Sequence, residues 1–241
     1  MSDNFKNKMM ELSKKINIEI KDKQIEKYFK YMNLLLEWNE KINLTAITEI
    51  DEVILKHFID SMTVLKFLVD NETIIDVGTG AGFPGIPIAI MKPDKRITLL
   101  DSLNKRINFL NEVCNELEIN NVKTYHDRAE DFAHNLDIRE KYDVAISRAV
   151  ANMTTLVEYL LPFVKVGGVC ICMKGSEINE ELDKAKFAIK ELGGKIENIE
   201  NFNLPDSDIE RNIIVIKKIK ETPNKYPRKA GMPLKMPMFH S

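Results

Sequence analysis

The sequence predicts an α/β protein built on a mainly parallel sheet, and three observations lead to this prediction. Strand-like and helix-like segments alternate from Thr73 to Ile219, a glycine-rich turn follows the first strand-like segment, and helical periodicity without any glycine precedes Gly78. Such alternation is typical of a parallel sheet that is covered by helices on both faces. Right-handed crossovers then bring the carboxyl ends of the strands to one edge, where such sheets bind their ligands.

Length and composition fit one α/β domain with an extension. The chain has 241 residues, of which 44% are hydrophobic and 30% are charged, and its formal net charge is −2. This length is ample for a buried core. A net charge near zero excludes a polycation, so binding to nucleic acid requires a local basic patch.

The cysteines Cys114, Cys170 and Cys172 are too few and wrongly spaced for a sulphur-rich zinc site. We expect buried or half-buried free thiols in a reducing cytosol, and no bound metal. The first residues lack the apolar core of a signal peptide, and no stretch reaches the ~20 apolar residues that cross a bilayer. We therefore expect a cytoplasmic protein that does not bind membranes.

Residues 1–70 are predicted to form a helical N-terminal extension. Apolar residues recur there at three- and four-residue steps, first as far as Leu36 and again from Glu52 to Leu68. A polar turn, residues 38–48, lies between the two helical segments. Trp38 in this turn is expected to pack in the core rather than to bind a ligand.

Residues 73–87 read T-I-I-D-V-G-T-G-A-G-F-P-G-I-P, a short apolar strand that turns directly into glycines. Glycine adopts positive φ without steric cost and lets a ligand approach the backbone. A helix that begins after such a turn presents free N–H groups to a nucleotide-like ligand. Gly80, Gly82 and Gly85 spell G-x-G-x-x-G, which alone is a weak match, so an ordinary strand-to-helix turn stays an alternative.

A second acid strengthens the nucleotide hypothesis. The segment Arg96–Asp101 reads as another strand, and Asp101 stands 21 positions after Gly80. An acid about 20 residues after the glycine turn usually holds the hydroxyl pair of a ribose. The spacing fits a dinucleotide or any other adenosine-bearing cofactor and does not choose between them.

The later elements complete the sheet. Further strands are predicted at Val122–His126, Tyr142–Ile146, Val169–Met173, Ile196–Phe202 and Asn212–Ile219, with a turn at Val166–Gly168. The sheet domain then spans residues 71–220. Its ligand edge is expected to bring together Asp76, Asp101, the loop 127–131, Arg148 and Lys174.

Residues 221–241 form a basic, proline-rich C-terminal tail, in which Pro223, Pro227, Pro233 and Pro237 forbid a long helix. With Tyr226 and Phe239, its basic residues are suited to a groove on RNA. A solvated, partly disordered terminus is the alternative, and the sequence leaves both open.

Several motifs together carry a family resemblance that covers the chain nearly end to end. They are Trp38–Asn39, Ile42–Thr45, His57–Ser61, Asp76–Gly85, Asp101, Arg128–Glu130, Ser147–Ala149 and Tyr226–Pro233. With these motifs the chain resembles the bacterial 16S rRNA (guanine-N7)-methyltransferase family RsmG, also called GidB or glucose-inhibited division protein B. Departures such as Met238 in place of an expected leucine are conservative.

The resemblance implies a Rossmann-like class I S-adenosylmethionine-dependent methyltransferase with a seven-stranded, mostly parallel sheet behind a helical N-terminal extension. It implies methylation of N7 of a specific guanine in 16S rRNA near the decoding centre, with S-adenosyl-L-methionine as donor and S-adenosyl-L-homocysteine as product. The implied partner is 16S rRNA, the small ribosomal subunit or its precursor, and we expect a monomer.

The resemblance also implies the site residues. The cofactor contacts carry over to Gly78, Phe83, Ala129, Glu130 and Arg148, with Gly80 in the same loop. By analogy with such methyltransferases, Asp101 would hold the ribose hydroxyls, and Asp76 would lie near the methionine end of the cofactor or brace the glycine loop. Candidate RNA-binding residues are Arg228, Lys229, Lys235 and Lys174, although Lys174 is equally compatible with a solvated loop lysine.

No residue is expected to act as a general base, because the N7 lone pair of guanine attacks a sulphonium methyl without losing a proton. His57, His126, His134 and His240 are scattered along the sequence and are interpreted as structural or surface residues. Catalysis would rest on proximity and orientation. The rival hypotheses are a nicotinamide-dependent oxidoreductase and a non-catalytic rRNA-binding or assembly factor.

Overall fold

The computed structural model describes residues 2–69, 72–176 and 178–238 of the chain. Within these ranges a single seven-stranded sheet has the strand order β3-β2-β1-β4-β5-β7-β6 and carries helices on both faces. The predicted α/β class and the mostly parallel sheet are confirmed. Phe239 and His240 lie outside the described residues.

The sheet and its helices follow the predicted alternation. The strands are β1 (Thr73–Val77), β2 (Arg96–Asp101), β3 (Val122–His126), β4 (Tyr142–Arg148), β5 (Val164–Lys174), β6 (Gly194–Asn203) and β7 (Glu210–Lys218). The α-helices are α1 (Asp3–Lys15), α2 (Asp22–Ile42), α3 (Ile50–Val53), α4 (Asp60–Met62), α5 (Gly85–Met91), α6 (Asn104–Glu116), α7 (Ala129–Phe132), α8 (Met153–Leu160), α9 (Asn179–Glu191) and α10 (Met232–Lys235). No helix of the described ranges is long and apolar enough to cross a membrane.

Strand pairing places the ligand edge between β1 and β4. Strand β1 pairs in parallel with β2 on one side and with β4 on the other, so the strand order reverses direction at this point. Parallel sheets bind ligands at such a switch point, outside the carboxyl ends of the strands. Strand β7 runs antiparallel between β5 and β6. The glycine loop after β1 and the segment after β4 therefore face each other.

Alternation along the strands separates two apolar cores. Ile74 and Ile171 pack with the N-terminal helices and with α5 and α6 on one face of the sheet. Their neighbours Ile75, Cys170 and Cys172 pack with α8 and α9 on the other face. This arrangement follows from the two-residue period of a strand that is covered on both faces. Cys170 and Cys172 are buried and Cys114 is half-buried, all as free thiols, as predicted.

The N-terminal helices support the glycine loop. On α2, the Tyr31 hydroxyl donates to the carbonyl of Ala81, and the Tyr28 hydroxyl donates to the carbonyl of Pro87 at 3.2 Å. Both tyrosines are fully buried. Trp38, expected in the core, is half-buried: its ring lies 5.7 Å from that of Phe109, and Nε1 donates to Glu112 at 3.1 Å.

The second helical segment of the extension is less regular than its periodicity predicts. Helix α3 passes into a π-helical turn at Ile54–Ile59, then into α4 and a 3₁₀ turn at Thr63–Phe67. A π-helical turn rotates the following side chains relative to an α-helix, and such turns are frequent at functional sites. Here the turn contains His57 and leads directly into Asp60.

The turn predicted at Val166–Gly168 is wrong, because these residues lie inside β5. The register with β4 shifts between the pairs Tyr142–Val164 and Val144–Val169, which is an irregularity of the kind produced by a bulge. Gly167 has a φ of +90°, and a Cβ on Gly168 would lie 2.5 Å from the carbonyl oxygen of Asp143. Glycine marks a close backbone approach here, whereas the sequence pattern indicated a chain reversal.

The described part of the C-terminal tail packs against the sheet domain. Thr222, Tyr226, Pro233 and Met238 are buried, and α10 is a single helical turn. The Arg139 guanidinium donates to the carbonyls of Thr222 and Tyr226, both at 2.8 Å. Through residue 238 the tail is therefore an ordered part of the fold, and the solvated alternative does not describe it.

Candidate active site

The loop after β1 is shaped by backbone conformations that favour glycine. Gly78 and Gly80 have φ values of +68° and +63°, where other L-residues are strained. The N–H groups of Gly78 and Thr79 donate to the carbonyl of Leu100 at 2.8 and 3.1 Å, which ties the loop to the end of β2. A Cβ on Gly78 would lie 2.7 Å from Val150. This position therefore has to remain free of a side chain.

Asp76, at the end of β1, braces the loop from below. Its Oδ2 accepts from the Thr79 hydroxyl at 2.7 Å and from the Gly85 N–H at 2.8 Å, while Oδ1 has no partner among the described residues. Burial raises the pKa of Asp76 to about 7, against the opposing effect of these hydrogen bonds and of Arg148. Bracing was one of the two roles expected for this residue.

Asp101, at the end of β2, joins the loop to the neighbouring strand. Its carboxylate accepts from the N–H groups of Gly80 and Leu103, both at 2.9 Å, and pairs with Arg106 at 3.2 Å. Asp101 is almost fully buried. The glycine turn and the acid that follows it by about 20 residues thus meet in one cluster.

Two adjoining clefts open above these residues. The first, here called the acidic cleft, has a volume of about 350 Å³. Its lining includes Gly78, Asp101, Asp127, Arg128, Ala129, Glu130, Val150, Tyr159, Gly231 and Leu234. Glu130 accepts from the N–H of Gly231 at 2.8 Å, so the C-terminal tail forms one wall of this cleft.

The second cleft, here called the Arg148 cleft, has a volume of about 410 Å³. Its lining includes Leu44, Thr45, His57, Gly78, Thr79, Gly80, Phe83, Asp101, Arg106, Arg148 and Val150. Gly78, Asp101 and Val150 line both clefts. The two clefts are therefore neighbouring parts of one site at the switch point between β1 and β4.

Arg148 is the cation at the centre of the second cleft, and its guanidinium is held on several sides. Nη1 donates to the carbonyl of Lys56 at 3.0 Å and to Asp60 Oδ2 at 3.1 Å, and the guanidinium carbon lies 4.9 Å from the centre of the Phe83 ring. Asp60 also accepts from Arg211 Nε at 3.1 Å. Burial lowers the pKa of Arg148, while the Asp60 carboxylate opposes this and stabilises the charged form.

His57 lies in the same cluster, although sequence reasoning had treated it as a structural or surface residue. Its ring stacks on Phe83 with centroids 4.4 Å apart and an interplanar angle of 12°. Nδ1 lies 3.1 Å from Arg148 Nη2, and Nε2 lies 2.8 Å from the Thr45 hydroxyl. Burial and the nearby Arg148 charge lower the pKa of His57 to about 3.

The eight predicted cofactor residues are thus brought together at one edge. Gly78, Ala129, Glu130 and Asp101 line the acidic cleft, Gly80, Phe83 and Arg148 line the Arg148 cleft, and Asp76 is buried below the glycine loop. Their roles toward a cofactor stay predictions. Thr45, His57 and Asp60 were missed as site residues, although the motifs that contain them were visible in the sequence.

The candidate RNA-binding residues fall into two groups. Arg228 is bound within the protein: it pairs with the fully buried Glu158 at 2.7 Å and donates to the carbonyl of Met236 at 2.7 Å. Lys174 donates to the carbonyl of Ala151 at 2.9 Å and pairs with Glu181. Lys229 and Lys235 are exposed on the tail. The RNA-binding role of all four stays a prediction.

Sequence comparisons identify relatives over most of the chain. A family model described as "GidB: rRNA small subunit methyltransferase G" matches residues 24–214. The ribosomal RNA small subunit methyltransferase G of Acetivibrio thermocellus is 54% identical over 222 residues, which cover 92% of this chain and 91% of that protein. The protein of the same description from Alkaliphilus oremlandii is 56% identical over 225 residues, which cover 92% and 94%.

Structural comparisons concern the fold. TYW2 of M. jannaschii, solved in complex with AdoMet, matches with a TM-score of 0.52 and 17% identity over 67% of this chain and 76% of that chain. Precorrin-6y C5,15-methyltransferase of Geobacter metallireducens matches with a TM-score of 0.50 and 20% identity over 66% and 87%. The predicted Rossmann-like methyltransferase fold is confirmed.

Proposed function

Because the chain belongs to the GidB family of small-subunit rRNA methyltransferases, we propose that it transfers a methyl group from S-adenosylmethionine to N7 of one guanine in 16S rRNA, near the decoding centre. One observation carries the proposal: two clefts join at Gly78 and Val150, one with the Glu130 carboxylate in its wall and the other with Thr45, His57 and Arg148. The acidic cleft offers carboxylate acceptors to a cofactor. The Arg148 cleft offers donors to a purine base.

The residues of the acidic cleft fit an adenosine-bearing cofactor. The carboxylates of Asp101 and Glu130 are acceptors of the kind that ribose hydroxyls and ring amino groups require. Gly78 lines this cleft without a side chain, and a Cβ there would lie 2.7 Å from Val150. We assign Asp101 to the ribose and Gly78 and Ala129 to the adenosine, and we propose that the methionine end lies where the two clefts meet, beside Phe83 and Arg148.

S-adenosylmethionine supplies a methyl group on a positively charged sulphur. The transfer forms the N7–methyl bond and breaks the sulphur–methyl bond, and no proton leaves N7. The site accordingly needs no general base, and both ring nitrogens of His57 are already engaged with Arg148 and Thr45. The protein's contribution is to hold the base in line with the methyl group and to exclude water. Compensation of Arg148 by Asp60 lowers the repulsion that a cationic purine product meets.

The exposed lysines of the C-terminal tail are suited to RNA phosphates. Lys229 and Lys235 flank Gly231 and Leu234, which line the acidic cleft, so phosphates bound there would lie beside the cofactor. We assign Arg228 to anchoring the tail and the two lysines to phosphates. A stacked target base has to turn out of the RNA, which costs a few kcal/mol offset by contacts in the cleft. We propose that the protein acts as a cytoplasmic monomer on the small subunit or its precursor.

Transfer of a labelled methyl group tests the proposal. Small subunits from a strain that lacks this activity are incubated with labelled S-adenosylmethionine, and the label is mapped by N7-specific strand cleavage. We expect a single labelled guanine in 16S rRNA, and thermal stabilisation by S-adenosylhomocysteine but not by NAD.

Each other outcome contradicts a defined part of the proposal. Stabilisation by NAD alone would support an oxidoreductase. Intact cofactor and subunit binding without label would support an assembly factor. Label at another atom or in another RNA would contradict the assigned substrate.

A further inference from the structure

Thr45 lies at the mouth of the Arg148 cleft on a backbone that is held in place. Its N–H donates to the side-chain oxygen of Asn39 at 2.8 Å, just beyond the end of α2. Its side chain is half-buried and lines the cleft beside Leu44 and His57. The hydrogen bonds of its hydroxyl determine what this side chain offers to a bound base.

The tautomer of His57 is fixed by Arg148. A guanidinium has only donors, so the Arg148 Nη2 that lies 3.1 Å from His57 Nδ1 requires an unprotonated Nδ1. The neutral ring then carries its hydrogen on Nε2. That hydrogen is donated to the Thr45 hydroxyl oxygen at 2.8 Å.

The Thr45 hydroxyl oxygen can therefore accept no further hydrogen bond. It accepts from His57 Nε2 and also from the N–H of Ile47 at 3.0 Å, which uses both lone pairs of a hydroxyl. The hydroxyl hydrogen remains to be donated, and no acceptor for it occurs among the described residues. Thr45 is therefore a donor only, and it presents its hydrogen to the cleft.

We propose that the Thr45 hydroxyl reads O6 of the target guanine, with His57 as the positioning residue that keeps this hydroxyl a donor. The inference rests on the proposed function. N7 and O6 lie on the same edge of guanine and are both acceptors, whereas adenine presents an amino group at the position of O6. A donor-only hydroxyl satisfies guanine and opposes adenine.

Of the other side-chain donors that line this cleft, Arg148, Arg106 and Thr79 are held by partners within the protein, whereas Ser102 is an exposed hydroxyl. Arg148 and Arg106 donate to the carboxylates of Asp60 and Asp101 at 3.1 and 3.2 Å, and the Thr79 hydroxyl donates to Asp76 at 2.7 Å. A donor that is already paired gains little from a second acceptor. The Thr45 hydrogen has no partner within the described residues, so it can be donated to O6 without breaking a bond inside the protein.

The test compares guanine with 2-aminopurine, which keeps N7 and the 2-amino group but lacks O6. Either base is placed at the target position of 16S rRNA by ligation, the RNA is assembled into small subunits, and single-turnover methyl transfer is measured. We expect the wild-type chain to methylate guanine faster than 2-aminopurine, and the O6 hydrogen bond should account for roughly 10- to 100-fold of this rate ratio. Thr45→Val lowers transfer to guanine by about this factor and lowers the guanine to 2-aminopurine ratio by the same factor.

Matched variants separate base reading from folding. Thr45→Ser keeps the hydroxyl and is expected to keep the ratio, whereas Thr45→Ala lacks it and is expected to behave like Thr45→Val. Thr48→Val changes an exposed threonine of the same segment and is expected to leave transfer unchanged. His57→Asn retains an acceptor for Arg148 but does not reach Thr45, so we expect a partial loss of the ratio. Binding of S-adenosylhomocysteine is expected to persist in all of them.

Two results overturn different claims. If the wild-type chain methylates guanine N7 and Thr45→Val or Thr45→Ala keeps the wild-type ratio, Thr45 does not read O6 and this inference is wrong. If the wild-type chain transfers no methyl group to guanine N7, the proposed function is wrong and this inference falls with it.

Discussion

The acidic cleft and the Arg148 cleft share Gly78 and Val150 but differ in what they offer a ligand. The acidic cleft adds the Glu130 carboxylate to the shared Asp101 and is closed on one side by the C-terminal tail. The Arg148 cleft presents a compensated cation and the donor-only hydroxyl of Thr45. One side is thus suited to a molecule rich in donors and the other to a base edge that carries acceptors.

The two clefts also differ in how the chain assembles them. The acidic cleft is built largely from loops that follow consecutive strands, so its residues occur at regular intervals in the sequence. The Arg148 cleft brings together residues that are far apart in the sequence, such as Thr45 in the N-terminal extension and Arg148 at the end of β4. The residues of a cleft of the first kind can be predicted from their spacing along the sequence. A cleft of the second kind depends on tertiary packing.

The largest expected effect is at Gly78, one of the residues that line both clefts. Gly78→Val places a side chain against Val150 in a left-handed backbone conformation. Such strain and such overpacking each cost about 1–3 kcal/mol, and they are relieved when the loop leaves the conformation that lines the clefts. We therefore expect affinity for S-adenosylhomocysteine to fall roughly 100- to 1,000-fold. Calorimetric titration measures this loss.

Gly167→Val is the matched control, because Gly167 also has positive φ but has open space around it and lies in β5. It is expected to lower stability and to leave cofactor affinity unchanged. Equal affinity losses in the two variants would mean that backbone strain alone, rather than the place of Gly78 in the site, causes the effect.

The next effect concerns the wall of the acidic cleft. Arg228→Met leaves the fully buried Glu158 carboxylate without its ion pair, which should cost about 3 kcal/mol of folding free energy. We expect a melting temperature several degrees lower and weaker binding of S-adenosylhomocysteine, because Gly231 and Leu234 of the undocked tail no longer line the cleft. Differential scanning calorimetry and titration give the two values.

Lys229→Met tests the neighbouring exposed cation. We expect an unchanged melting temperature and a salt dependence of RNA binding that is smaller by about one phosphate contact. The assignment of Arg228 to the tail anchor would be wrong if Arg228→Met changed the salt dependence of RNA binding and left the melting temperature unchanged. Arg228 would then bind RNA, as its position in a basic tail first indicated.

These residues show what the sequence could predict. The sheet, Asp76, Gly78 and Asp101 were predicted because a parallel sheet converts spacing along the chain into proximity at one edge. Arg228 was interpreted as a phosphate ligand because it lies in a basic tail. Its partner Glu158 stands 70 positions earlier in the chain, so the sequence did not indicate the ion pair. Pattern analysis compares neighbours in sequence, so it does not detect the charge that neutralises such a residue.

Thr45 and His57 show a second limit. Both occur in motifs that were visible, but their chemical roles depend on hydrogen-bond directions. The π-helical turn at Ile54–Ile59 brings His57 against Phe83 and Arg148, and only this contact fixes the tautomer that makes Thr45 a donor. Apolar periodicity predicts a helix at Ile54–Ile59 but does not indicate that its turn is π-helical.

The smallest expected effects are two pH dependences of opposite sign. Burial and Arg148 lower the pKa of His57 from 6.5 to about 3, so between these values the unfolded chain binds a proton that the folded chain does not. The contribution of His57 to stability therefore rises with pH from about 3 to 6.5. Burial raises the pKa of Asp76 from 3.8 to about 7, so its contribution is present below pH 3.8 and is lost as the pH rises toward 7.

In the wild-type chain the two slopes oppose each other between about pH 4 and 6.5, and single variants separate them. We expect the stability difference between wild type and His57→Asn to grow as the pH rises through this window. The difference between wild type and Asp76→Asn should shrink. Urea unfolding at pH 4.5, 5.5 and 6.5 measures both, and neither slope should exceed about 1.4 kcal/mol per pH unit. A His57 difference that did not change with pH would mean that this ring binds its proton equally in the folded and unfolded chain, and Nδ1 would then not be held as an acceptor for Arg148.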